Sequence, residues 1–152
     1  ELLFRLLLQT GIKKSETGRL KREDIDRSNP HMPTIIIKHQ AKNVYKERRI
    51  DIDSEFLKLL DLYYQQYAPK ETVFNCTTRN LEYILTEVGE RAGVPFKLSF
   101  EVMGWTSAVR DYLNDTDDEI IREKLGLSKT SWYETGDKIR RIAERLTEQE
   151  HG

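Results

Sequence analysis

Histidine is scarce in this sequence: of three in 152 residues, His31, His39 and His151, none lies between residues 40 and 150. That removes zinc-spaced Cys/His clusters and Ser-His-Asp or Cys-His catalytic constellations from most of the chain. A single cysteine, Cys76, excludes an internal disulfide and points to a reducing compartment. Its expected role is that of a small buried apolar residue near a strand end. There is no Gly-rich phosphate loop. No apolar run approaches the roughly 20 residues that span a bilayer. The longest, Leu2 to Leu8, is short and broken by Arg5. A secretion signal is not expected either, because the start has no basic leader and no small-residue cleavage site. Charge of one sign is also lacking, with 25 Lys and Arg against 26 Asp and Glu.

What is present is a soluble composition, 38% apolar and 34% charged, long enough for one domain with its own core. Charge is unevenly spread. From Ile12 to Arg49 there are eleven Lys or Arg against five acids, and from Asp111 to Glu123 six acids against Arg122 alone. A basic N-terminal third suits phosphate binding, since each neutralised phosphate releases condensed counterions. An ordinary solvated surface is the plainer account of the same surplus.

Periodicity predicts an apolar helix over residues 2–10, stopped by Gly11. A short helix follows, capped by Ser15 and running through Leu20, weakened by about 1 kcal/mol at Gly18. Thr34 to Lys38 is a β-branched run and reads as a strand. Residues 48–53 alternate charged and apolar, with Ile50 and Ile52 on one face, and read as its antiparallel partner, leaving 39–47 as the hairpin connection. Phe56, Leu59, Leu60, Tyr63 and Tyr67 mark a helix from Ser54 or Glu55 to Tyr67. Leu81, Ile84, Leu85, Val88 and Ala92 mark another, opened at Thr77 or Thr78 and closed by Gly93. Ser99 to Leu113 reads as helix with Gly104 inside it. Thr116 is expected to cap a short acidic-fronted helix ending at Gly126, and Ser128 or Ser131 to start a last helix lined by Ile139, Ile142 and Leu146. The predicted class is α+β, mostly helical, with a small antiparallel sheet or hairpin packed against helices.

One stretch carries more than secondary structure. Thr10-Gly11-Ile12-Lys13-Lys14-Ser15-Glu16, followed by Leu20-Lys21-Arg22-Glu23-Asp24-Ile25-Asp26, resembles the opening of the tyrosine recombinase (phage integrase) catalytic domain. There a Thr-Gly-apolar-Arg-x-Ser-Glu segment runs into Leu-x-x-x-Asp-Ile-Asp. Lys13 stands at the family's first catalytic arginine. Lys42, in the run from Ala41-Lys42 to Lys46-Glu47-Arg48-Arg49-Ile50, falls at the family's general-acid lysine. Ser99 to Ala108 aligns without gaps on the family's His-x-x-Arg segment, and Leu125-Gly126-Leu127-Ser128 on its Leu-Gly-His-Ser. In that register Glu101, Gly104 and Leu127 replace a histidine, the second arginine and the second histidine. A register one residue earlier puts Phe100 and Met103 at the first two positions instead. The family tyrosine falls near Gly136, one helical turn after the nearest candidate nucleophile, Tyr133. Arg110, Arg140 and Arg141 are candidate substitutes for the missing cations.

The resemblance implies a catalytic-type domain over 1–152, a fragment of a longer chain whose helical DNA-clamping domain is absent. It also implies DNA integration and recombination, with double-stranded DNA as partner, no cofactor, no metal and no membrane. A homo-oligomer on DNA and a cytoplasmic, nucleoid-associated location fit the same reading. Lys13, Lys14, Lys42, Lys46 and Arg48 are the candidate phosphate-binding residues. Glycine and leucine offer a phosphate no side-chain donor, so weak or absent strand cleavage is expected. Two other readings stay open at this point. One is an active recombinase with rearranged residues and Tyr133 attacking; the other is a non-catalytic interaction module dimerising through its C-terminal helix.

Overall fold

In the computed structural model, residues 1–41 and 44–151 are described, the side chains of 39–46 and 151 excepted. Lys42 and the hairpin tip therefore lie outside the described residues. Helix α1 (Leu2–Thr10) ends at Gly11, whose φ of 63° is the left-handed conformation the sequence predicted there. Helix α2 (Lys14–Arg19) follows, then a 3-10 turn over Arg22–Asp24. Strands β1 (Ile25–Asp26), β2 (Thr34–Ala41) and β3 (Val44–Asp51) form an antiparallel sheet in that order. Five further helices complete the order: α3 (Ser54–Tyr67), α4 (Thr78–Arg91), α5 (Phe100–Leu113), α6 (Asp118–Leu125) and α7 (Lys129–His151). Among the described residues no helix is long and apolar enough to cross a membrane.

The main core lies under the sheet. Leu6, Leu7, Ile35 and Leu60 are wholly buried there, at roughly 1.5–3 kcal/mol each relative to exposure. A smaller cluster, Ala108, Val109, Ile121, Ile139 and Ala143, joins α5, α6 and α7. Helix α5 belongs to both, contributing Met103 to the first and Ala108 to the second.

Several local expectations are corrected. Lys13, not Ser15, precedes the first turn of α2, because the Glu16 carboxylate reaches back to accept from the Lys13 backbone N–H at 2.9 Å. Asp117, not Thr116, caps α6 by accepting from the Glu119 N–H. The strands extend to Ala41 and resume at Val44, so most of the expected 39–47 connection is ladder. Ile84, Ile142 and Leu146 are exposed, and so is Ala92. Cys76 sits half-buried in the loop before α4 rather than at a strand end, and burial pushes its thiol pKa up.

Strand alternation places Arg48 on the face of β3 that carries Ile50, turned toward the core. There Arg48 donates Nη1 to Glu16 Oε2 at 2.6 Å and Nη2 to Glu16 Oε1 at 3.2 Å. Nη2 also reaches the Lys124 carbonyl at 3.1 Å, tying α2, β3 and α6 together. The Glu16 side chain is 4% exposed. Burial alone would raise its pKa, but the Arg48 hydrogen bonds, the Lys13 N–H and the charges of Arg48 and Lys13 outweigh it and hold the carboxyl below its ordinary value.

Removing one partner of such a pair strands a buried charge. Arg48→Met is expected to lower stability by about 3 kcal/mol in urea unfolding, and Arg48→Met with Glu16→Leu to recover most of it. Because the folded pKa of Glu16 is depressed, its contribution is complete above the ordinary glutamate value of about 4.3 and lost as pH falls through the folded value. Stability of the double variant should therefore fall less steeply below that pH.

Candidate functional site

Three elements meet between the two cores. The turn from α1 into α2 supplies Gly11, Ile12, Lys13 and Lys14; α5 supplies Phe100, Glu101, Gly104, Trp105 and Ala108; the end of α6 and the start of α7 supply Leu125, Leu127 and Thr135. They enclose a hollow of about 400 Å³ that opens to solvent. The α5 contributors recur at helical spacing, which is why residues far apart in the resemblance's segments share one face. Lys13, Glu101, Gly104 and Leu127, four positions that the resemblance gives to catalysis, thus line a single cavity.

The lining is mostly hydrocarbon. Lys13 is exposed and makes no ion pair among the described residues. Lys14 pairs with Glu82 of α4, and that hydrogen bond is the main cause that holds the Glu82 carboxyl below its ordinary value. Thr135 adds a hydroxyl and Glu101 a carboxylate. No guanidinium lines the hollow, so an anion entering it meets ammonium point charges and not a bidentate fork.

The remaining candidates lie elsewhere. Tyr133 is 85% exposed and does not line the hollow. It precedes the lining residue Thr135 by two positions, which on a helix puts the two on nearly opposite sides. Arg110 opens onto a separate groove with Asp53, Asp111 and Lys124. Arg140 and Arg141 both approach Asp137, at 3.9 and 3.0 Å. Arg48 is committed to Glu16 and Lys124, leaving it no free fork for phosphate. Lys46 is opposite His39 in the β2–β3 register, but its side chain, like Lys42, lies outside the described residues.

Sequence reasoning passed over two features. The parity of Arg48 with Ile50 and Ile52 already marked it as inward. The Trp132–Gly136 pair, spaced i to i+4, is the other: a Cβ at Gly136 would sit 2.9 Å from Cε2 of the Trp132 indole. That indole packs on the α5–α6–α7 cluster and covers the spot where the resemblance puts a tyrosine. Gly104 is different, because a Cβ there would meet only the Gly11 carbonyl at an ordinary 3.7 Å. Packing demands glycine at 136 and merely permits it at 104.

Neither protein-family models nor curated proteins match the chain. Solved structures do. XerA recombinase superposes with a TM-score of 0.74 at 22% identity, over 96% of this chain and 55% of its own. XerH site-specific recombinase, bound to palindromic difH substrate in a post-cleavage complex, also gives 0.74, at 21% identity over 98% of this chain and 45% of its own. The Tn1549 transposon integrase in complex with transposon right end DNA gives 0.66 at 16% identity, over 95% of this chain and 57% of its own. The chain spans about half the length of these proteins. Its fold is that of a tyrosine-recombinase catalytic domain.

Gly136→Ala should lower stability by about 1–3 kcal/mol in urea unfolding, since the packed indole must give way. With Trp132 already replaced by alanine, the same change should instead stabilise by up to about 1 kcal/mol, the helix-propensity gain of alanine over glycine.

Proposed function

We propose that this domain grips double-stranded DNA by its phosphate backbone and cleaves strands poorly or not at all. The observation that carries the reading is the shared hollow: Lys13, Glu101, Gly104 and Leu127 meet there in a recombinase-like fold, yet only one of the four is a cation. Phosphodiester cleavage needs cations on two non-bridging oxygens, an acid for the leaving oxygen and a nucleophile in line. Each missing donor of that kind costs roughly 3 kcal/mol or more of transition-state stabilisation. A tyrosine facing solvent and a tryptophan over Gly136 leave the nucleophile's place filled by hydrocarbon.

Binding makes smaller demands. Lys13 and Lys14 at the rim, with Lys42 and Lys46 on the β2–β3 hairpin, form the phosphate-contacting set, and Arg48 drops out of it. Such contacts position the duplex without reading its sequence. The neighbours that were solved on DNA support this partner class. Their greater length supports a longer parent chain with a separate clamp, in which residues 1–152 are the catalytic-type unit acting in DNA recombination or integration.

In fluorescence anisotropy, the parent domain should bind labelled duplex at low salt. Lys13→Ala with Lys42→Ala should weaken binding and reduce the log–log salt slope by roughly 2, close to 0.9 per phosphate contact. No detectable binding by the parent at low salt overturns the proposal. On a nicked suicide substrate no covalent adduct is expected; an adduct that Tyr133→Phe abolishes overturns the cleavage half.

A further inference from the structure

A concave apolar surface facing water is unfavourable unless something fills it. The hollow between the cores is such a surface: Ile12, Phe100, Trp105, Leu125 and Leu127 form its walls. At about 400 Å³ it falls in the size range of small-molecule sites, roughly 300–1,000 Å³. We propose that it binds a small amphipathic monoanion, an aromatic carboxylate whose ring lies between Phe100, Trp105 and Leu127 and whose acid group rests on Lys13.

Charge decides the class. Around the hollow, Lys14 is paired with Glu82, and Arg48 with Glu16. Glu16 also feels the charge of Lys13, but both its oxygens already accept from Arg48. Among the described residues that leaves one ammonium at the rim, enough for a single negative charge. Glu101, exposed on the same rim, opposes a second, which disfavours a phosphate monoester. A nucleobase is disfavoured too, because the walls would leave its polar edge unpaired apart from Thr135 and Glu101. An aryl ring has no such edge, and two aromatic walls suit it.

This proposal goes beyond the phosphate-gripping reading, and its test contains no nucleic acid, so the two fail independently. The probe is 1-naphthoate, titrated into the domain and followed by amide and side-chain NMR shifts. Saturable one-to-one binding is expected, with the largest shifts at Phe100, Trp105, Leu125, Leu127 and Thr135. Lys13 is exposed, so Lys13→Gln should fold normally; it should weaken naphthoate about tenfold, the loss of one charge-assisted contact. The uncharged analogue 1-naphthalenemethanol should bind the parent and Lys13→Gln equally. Leu127→Asp should abolish naphthoate binding while circular dichroism stays that of the parent. If Leu127→Asp fails to fold, Leu127→Lys in the Lys13→Gln background replaces it and should shift the anion toward residue 127. Absence of saturation up to millimolar naphthoate, shifts centred elsewhere, or unchanged affinity in Lys13→Gln would each overturn the assignment.

Discussion

The buried pair of Glu16 and Arg48 is the constraint on which the arrangement of this domain depends. A carboxylate that is 4% exposed and a guanidinium that is 18% exposed survive away from water only if their hydrogen bonds are well made. The bonds from the two Nη atoms fix three elements at once, while the Arg48 Nε is left without a hydrogen-bond partner among the described residues. Glu16 holds the start of α2 through the Lys13 N–H, and Arg48 holds β3. The Lys124 carbonyl brings in the end of α6, one residue before Leu125. Gly126, with φ of 68°, completes the contact: a Cβ there would lie 3.0 Å from the guanidinium carbon. The walls of the hollow that come from α2 and α6 are therefore set by one ion pair behind them.

That arrangement separates framework from chemistry. The framework rests on the clamp, on the leucines of α1 and on the approach of Gly11 to α5, where a Cβ on Gly11 would come within 3.2 Å of Ser107. None of these needs a particular side chain at 101, 104 or 127. Residues lining a cavity can change from donors to hydrocarbon while the packing around them is kept, because fold and site draw on different groups. At 136 the two are coupled, since the Trp132 indole occupies the neighbouring space and packs on the second core. A large side chain there would have to displace a packed aromatic ring. Charge follows the same division: Arg48 and Arg122, which bond the framework beside the hollow, do not line it, and the rim carries lysine.

Local signals were enough for most of the architecture. Apolar spacing along Phe56, Leu59, Leu60 and Tyr63, the β-branched run at Ile35 to Ile37, and Gly11 and Gly126 at helix ends all have their causes within a few residues, although Tyr67 of the same stripe is exposed. The caps of α2 and α6 were misplaced by one or two residues because several oxygens compete near each helix start. Only the chain's path decides whether Glu16 or Ser15, Asp117 or Thr116, reaches the free N–H groups. Ile139, Ile142 and Leu146 line one side of α7, yet only Ile139 is buried, because hydrophobicity marks a face and not its partner.

By itself the sequence determined the element order and the mixed helical class, since each depends on residue identity and near-neighbour spacing. The tertiary structure alone decided that Lys13, Glu101, Gly104 and Leu127 share one hollow, that Arg48 is spent inside, and that Tyr133 faces water. Those facts turn on how helices distant in sequence cross and rotate against one another. That geometry comes from simultaneous close packing of both cores, which no single segment encodes.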